Sequence, residues 1–474
     1  MQRTLLILLV ATSYLLLAGG RPWTLGPLVA LAALAALVAP RRTARFPKDH
    51  RALDLALIAL AIGVALQMLP MPLGVLGVIS PNAARLKAAL EFAPMTAPPE
   101  WSSLSIKPER TLEALAAVVI GILSFWTARA AFSVGGGTRS FCRWLALIGA
   151  VVAIAAVIQK AGTPKLLLFS VQPEARSTNP FGAFTNRNHF AAWLMLMATP
   201  IIGYLIARLR MHPSHDHRLR GVIRHFMASG AVMTAMAAVL AIGVMLLTLS
   251  RSAVVGLGVA AVVAWLLARP RVQLERSMLP ARLGGLGILL LAAMLFIDID
   301  GWATRVEESF TTEGMFGRTT IWKETVPIIK DFWLTGTGAG TYSDAMTYYQ
   351  QTRLWVNSMQ RWAHFNNAHS HFVQVAAEGG LLLAVPSLAA LISLWMLARR
   401  AIRADKGEMF WVRVGAAAGL AGLTVQSLFE VSLTMPANAV LCGVLAGLLI
   451  YRRDSHYGAE SPTPESLTPE PRLA

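Results

Sequence analysis

The chain has 474 residues, of which 55% are hydrophobic and only 14% charged, a balance too apolar for a soluble protein of this size. Its formal net charge of +17 could suit a nucleic-acid partner, but the basic residues crowd alternate loops between apolar runs. That distribution points to membrane topology and not to nucleic acid.

A hydrocarbon core about 30 Å thick takes about 20 apolar residues of helix, and a helix satisfies its own backbone hydrogen bonds. An all-α integral membrane protein of about twelve transmembrane helices is therefore expected. In chain order the spans are predicted at 4–20, 23–39, 53–79, 111–133, 144–162, 188–207, 226–249, 252–268, 283–298, 373–398, 412–433 and 437–451. The first run carries Arg3 and ends on small residues like a signal peptide, yet a second run follows almost at once, so a retained helix is the reading. With the N-terminus in the cytoplasm, basic clusters fall inside at Arg41 to Arg51, Arg208 to Arg224, Arg269 to Arg282, Arg399 to Lys406, and Arg452 with Arg453. This positive-inside bias predicts a bacterial inner-membrane protein, multi-pass, with both termini cytoplasmic.

Residues 1–453 form the membrane domain in this reading. The tail 454–474, rich in Pro, Ser, Thr and Glu, is expected to be a disordered cytoplasmic extension. The two cysteines, Cys142 and Cys442, sit where nothing favours pairing, so no disulfide or metal framework is expected.

On the opposite, extracytoplasmic face lie segments at about 80–110, 163–187 and 299–372. The last is long for a protein of short loops and should be functional or separately folded. Within it, residues 319–331 alternate apolar and charged positions at helical spacing. That pattern suits an amphipathic helix at the interface, with Trp322, Phe332 and Trp333 as headgroup anchors, or one simply packed on the bundle. Gly336-Thr337-Gly338-Ala339-Gly340 lacks the Lys-Ser/Thr of a phosphate loop and is expected to make tight turns with close backbone approach.

An aromatic stretch then leads to Asn366-Asn367-Ala368-His369-Ser370-His371 at the predicted start of the tenth span. A neutral imidazole there can take a proton from a sugar hydroxyl near neutral pH; the plainer alternative is a helix cap with water-exposed histidines. His369 and His371 are two apart and would diverge on a helix, which disfavours a shared metal. Arg187, Arg251 and Arg318 are placed at helix ends on the outer side, against the positive-inside bias. Guanidinium forks match phosphate oxygens, so the three suit a diphosphate; singly, each could snorkel to lipid headgroups. Glu378 and Glu430 are the acidic candidates, both expected to face the bundle and pair with an arginine.

The order Asn186-Arg187-Asn188-His189, Ser250-Arg251-Ser252, Gly317-Arg318 with Trp322, the glycine cluster, and His369 before Glu378-Gly379-Gly380 resembles the O-antigen ligase and polymerase superfamily over about 180–400. The ligase pattern of His, then Asn, Ser or Gln, nine residues, Gly, two residues, and Gly, Thr or Tyr is met by His369, Ser370 and Gly380 and departed from at Leu383. The resemblance implies a GT-C-like bundle with a large helical periplasmic loop. It also implies a metal-independent inverting glycosyltransferase that needs no cofactor and takes an undecaprenyl-diphosphate-linked glycan as donor at the periplasmic face. Carried over, His369 is the catalytic base and Arg251 and Arg318 engage the donor diphosphate. Arg187 joins them on chemistry and position, and Asn188, His189, Trp322, His371 and Glu378 are supporting candidates.

The acceptor is either another lipid-linked repeat unit, making the chain an O-antigen or exopolysaccharide polymerase, or lipid A-core, making it a ligase. Leu383 tilts the reading to polymerase. A transporter of the same lipid is the rival from another class, but it would place its polar groups near the bilayer midplane, often within internal repeats. Polysaccharide assembly proteins are expected partners by analogy only.

Overall fold

The computed structural model describes residues 2–39, 47–90, 100–133, 137–173, 179–211, 231–273, 315–352, 355–356 and 361–452. In chain order its helices are α1 (Gln2–Leu15), α2 (Pro22–Val38), α3 (Arg51–Met68), α4 (Leu73–Ile79), α5 (Pro81–Leu90), α6 (Pro108–Ser133), α7 (Gly137–Gly162) and α8 (Arg187–Met211). There follow α9 (Ala231–Leu247), α10 (Arg251–Gln273), α11 (Met315–Asp331), α12 (Tyr342–Tyr349), α13 (His371–Ala404), α14 (Phe410–Gln426) and α15 (Pro436–Ile450). Two antiparallel strand pairs decorate them, Met71–Pro72 with Trp101–Ser102 and Trp355–Val356 with Arg361–Trp362.

Among the described residues, six helices are long and apolar enough to cross a membrane: Lys48–Met68, Pro108–Ser133, Gly137–Gly162, Arg187–Arg210, Arg251–Arg271 and His371–Ala404. Gln2–Leu15, Pro22–Val38, Ala231–Leu247 and Pro436–Ile450 are apolar but shorter, and α14 has 17 residues. All fall on predicted runs. The run at 283–298, the first part of the predicted long loop and the tail 454–474 lie outside the described residues, among which six helices, against the twelve expected for the whole chain, are long and apolar enough to span. The predicted span 53–79 is two elements. α3 stops at Met68 because Pro70 and Pro72 remove amide donors and force extended backbone before them, and α4 is a separate short helix.

The bundle and a cap bury separate apolar clusters. The large one runs through α1, α2, α6 to α9, α14 and α15, with Trp193, Phe190 and Tyr204 of α8 fully covered. Close approach of α8 and α14 depends on small residues: a side chain on Gly415 would meet the Thr199 carbonyl oxygen at 2.3 Å. Such contacts substitute for the hydrophobic drive that lipid removes between helices. The smaller cluster joins Leu76 of α4, Leu86 of α5, Ile321 and Ile328 of α11, Tyr342 and Met346 of α12, and Ala377 of α13.

This cap settles the amphipathic segment as a packed helix. Ile321 and Ile328 are buried in the cluster, as is Phe332, so Phe332 is no headgroup anchor; Trp322 is partly buried against the cluster and hydrogen-bonded to the Ala368 carbonyl, and Trp333 is exposed.

The cap grips a break in α13. Gly380 has φ +51°, which interrupts the helical ladder, and the turn segment 333–338 supplies the missing partners. Leu381 and Leu382 amides donate to the Trp333 and Leu334 carbonyls, at 2.8 and 2.9 Å, while Thr337 and Gly338 amides donate to Ala377 and Glu378, at 3.1 and 2.9 Å. Buried Gln67 of α3 closes the joint, donating to the Thr335 and Glu378 carbonyls and accepting from the Ala339 amide. Gly336 has φ +68°, and any side chain there would strike the Glu378 backbone at 2.1 Å. The glycine cluster is a docking turn against a broken helix.

Candidate functional site

Three helices begin at one place, and each brings an arginine in its first turn. Arg187 is the first residue of α8, Arg251 the first of α10 and Arg318 the fourth of α11. All three line a small cavity of about 50 Å³, together with Asn188, Leu249, Ser252 and Glu430. A cation at a helix N-terminus works against the helix dipole, so three of them at one spot are arranged at an electrostatic cost that an anion would reverse.

Local backbone explains how each arrives. The Arg187 amide donates to the Asn179 carbonyl, and the Asn186 side chain accepts from the Asn188 amide, which starts α8 on an Asx turn. Between α9 and α10 only three residues intervene, and Leu249 among them has φ +53°. That left-handed backbone is costly for leucine and swings Arg251 straight back to the cavity from a tight reversal.

Glu430 is the anion among the lining residues. It lies in the turn after α14 and not within a helix as expected, with its side chain only 1% exposed. Its Oε1 accepts from Arg318 Nη2 at 3.1 Å and from Asn188 Nδ2 at 2.7 Å. Its Oε2 has no hydrogen-bond partner among the described residues and faces His369 Nδ1 at 4.0 Å. Burial pushes the Glu430 carboxyl up to about 7, against the opposing pull of the Arg318 guanidinium and Asn188.

His369 is one residue outside α13, whose N-cap is Ser370, accepting from the Val373 amide. Its backbone has φ +47°, another left-handed non-glycine position beside the cavity. Four contacts hold it there. Trp322 Nε1 donates to the Ala368 carbonyl at 2.8 Å, Gln374 Oε1 accepts from the Ala368 amide, Asn367 Oδ1 accepts from the His369 amide, and the His371 amide donates to the Ser427 carbonyl. The side chain is about two-thirds covered, and its Nδ1, which faces Glu430, is buried and has no hydrogen-bond partner among the described residues. Burial first, and the Arg318 guanidinium second, pull it down to about 4, which keeps the ring neutral at pH 7.

The supporting candidates divide. Asn188 lines the cavity and bonds Glu430, His189 is near enough to His369 to feel its charge, and Trp322 fixes the backbone before His369. His371 starts α13 with its Nδ1 buried. Glu378 does not meet an arginine among the described residues. Its Oε1 accepts from the Tyr342 amide at 3.0 Å and from Gln374 Nε2 at 3.2 Å, so it knits the cap to the broken helix. Gln374, Gln426 and Glu430 are the residues that sequence reasoning undervalued. A buried polar side chain near the end of an apolar run was the available signal, and it marks Glu430 and Gln426 alike.

His369 is not itself among the residues lining the cavity and reaches it through Glu430; a neutral imidazole backed by that carboxylate can take a proton from a hydroxyl, and the three guanidinium groups of the cavity can hold an anion. Residues 236–388 match the family model described as O-antigen ligase, a stretch that includes Arg251, Arg318, His369 and Glu378 but not Arg187, Asn188 or Glu430. No curated protein matches the chain.

Proposed function

We propose that the chain transfers a polyprenyl-diphosphate-linked glycan to a sugar hydroxyl at the periplasmic face of the bacterial inner membrane, a reading supported by the match of residues 236–388 to the O-antigen ligase family model. The observation that carries this reading is the convergence of Arg187, Arg251 and Arg318 on one cavity with Glu430, which in turn reaches His369. In this reading the membrane domain is residues 1–453, with about twelve spans, both termini cytoplasmic and a disordered tail after it.

The acceptor hydroxyl gives its proton to His369 and its oxygen attacks the anomeric carbon from the face opposite the diphosphate. The bond from that carbon to the diphosphate oxygen breaks with its electron pair, inverting the configuration. Charge growing on the departing diphosphate meets three fixed guanidinium groups and the amides of three helix starts. Preorganised donors of this kind supply transition-state stabilisation without reorganisation, so the leaving group needs no metal ion to neutralise it. Arg318 has a second task, since its bond to Glu430 holds the carboxylate behind His369.

Leu383 stands where the ligase pattern has Gly, Thr or Tyr, and this supports a second lipid-linked repeat unit as acceptor, making the chain a polymerase. Lipid A-core is the second reading, favoured by the description of the matched family. The deciding experiment mixes purified protein with an undecaprenyl-diphosphate glycan, with and without lipid A-core, under chelator. Glycan ladders without lipid A-core mean polymerase, and product that requires it means ligase. Absence of transfer with several glycans, alongside uptake into vesicles, would mean transport.

A further inference from the structure

Behind His369 the protein buries polar atoms that have nothing to bond. Among the described residues, nine buried side-chain nitrogen and oxygen atoms without a hydrogen-bond partner belong to one contiguous patch around this histidine. They are both ring nitrogens of His189, Nδ1 of His369 and His371, Gln426 Oε1, Ser427 Oγ, Glu430 Oε2, Ser432 Oγ and Asn438 Oδ1. The patch is continuous through its other bonds: Gln426 Nε2 donates to the Asn188 carbonyl, Asn438 Nδ2 donates to the His189 and Ser432 carbonyls, and the His371 amide donates to Ser427. Gln426 and Asn438 are fully buried and Ser432 is 1% exposed.

Native proteins leave few buried polar groups unpaired, because each gives up its hydration with no bond to replace it. Nine such atoms in one place, donors and acceptors mixed, match the environment of buried water, which typically makes about three hydrogen bonds. The 4.0 Å gap between His369 Nδ1 and Glu430 Oε2 is also too long for a direct hydrogen bond.

We propose that His189, Gln426, Ser427, Ser432 and Asn438 enclose an internal water cluster in contact with His369 Nδ1 and Glu430 Oε2, and that this cluster carries away the proton His369 takes from the acceptor. The route resting on His369 as base balances simply. The acceptor proton arrives on Nε2, the Nδ1 proton leaves to a water shared with Glu430 Oε2, and successive waters pass one proton on to solvent. This leaves His369 neutral with its proton on Nε2; loss of that proton to solvent and return of one to Nδ1 through the same waters restore the starting tautomer, so that one proton in all has passed from the acceptor to solvent. His189, Ser432 and Asn438 are positioning residues in this account, since they hold water and never touch the sugar.

Hydroxyl-radical footprinting of the full chain in detergent, with radicals generated by X-rays, reads buried water without using activity. His189, only 6% exposed, should be labelled at least about tenfold faster than its fully buried apolar neighbour Phe190, because radicals form at bound water. Asn438→Leu should abolish the His189 label, and Ser432→Ala, the milder variant, should lower turnover several-fold and enlarge the solvent deuterium isotope effect. A His189 as inert as Phe190 overturns the water cluster. A labelled His189 with rate and isotope effect unchanged in both variants overturns the proton route. Full activity in His369→Ala would instead remove the base assignment, and the His189 label would still decide the cluster separately.

Discussion

Two buried arginine–carboxylate pairs in this chain use the same chemistry to different ends. At the end of α6 remote from the cap, Arg129 Nη1 lies 3.0 Å from Asp54 Oδ1, with side chains 6% and 2% exposed. Trp126 Nε1 donates to the same carboxylate at 2.8 Å, and His50 Nδ1 sits 3.4 Å from the guanidinium. Both Asp54 oxygens are engaged. Arg318 and Glu430 are also 3.1 Å apart, but that guanidinium is 24% exposed, it faces a cavity, and one oxygen of Glu430 is left without a partner. A satisfied pair holds helices in register. A pair with a free oxygen, an open guanidinium and an imidazole beside it has capacity left for a substrate.

Substitutions should separate the two pairs by what they damage. The largest effect is expected at His369→Ala, a loss of about 10²- to 10⁴-fold in turnover as for other general bases, with the melting curve unchanged. Thermal unfolding in detergent beside a glycan-transfer assay checks it, and an unaltered rate would remove His369 from the chemistry. Next is Arg129→Ala, which strands Asp54 unpaired in the interior and should cost about 3–5 kcal/mol of stability while leaving the activity of the folded fraction near normal. A drop in activity per folded molecule would mean the two pairs are not so different. Arg318→Ala should do the converse, costing about 100-fold or more in turnover with the helices intact, and Arg318→Lys should rescue little because an ammonium lacks the bidentate fork.

How far the sequence reveals this arrangement depends on what kind of order each residue carries. Apolar runs are local, so the helices α1 to α3, α6 to α10 and α13 to α15 follow from them, apart from the proline break after Met68. Arg187, Arg251 and Arg318 are legible singly, because an arginine at an outer helix end defies the charge bias; that they line one cavity is a property of packing. Glu430 is harder. It looks like a structural carboxylate in a span, and only the end of α14 at Gln426 puts it in a turn beneath His369. Glu378 misleads in the opposite sense, since an acid inside an apolar helix suggests an arginine partner. Its actual partners are the Tyr342 amide at the start of α12 and the Gln374 side chain, which no helical periodicity announces.

The smallest predicted effect sharpens the comparison most, because it concerns ionisation alone. Both titrating groups lie outside the spanning helices. His369 is depressed to about 4, so a base that must be neutral stays competent down to about pH 5, where an ordinary imidazole near 6.5 would be mostly protonated and idle. Glu430 is raised to about 7, so its ionised fraction climbs as pH rises through neutrality. An ionised Glu430 stabilises the imidazolium formed when His369 accepts a proton, and turnover should therefore rise modestly between pH 6 and 8 above a floor that persists to pH 5. Glu430→Gln should erase that rise and leave the floor, an effect on the order of tenfold at pH 8, worth about 1.4 kcal/mol. A single acid limb near 6.5 in both proteins would mean that His369 is an ordinary exposed imidazole and that the orphaned oxygen of Glu430 plays no part in its charge.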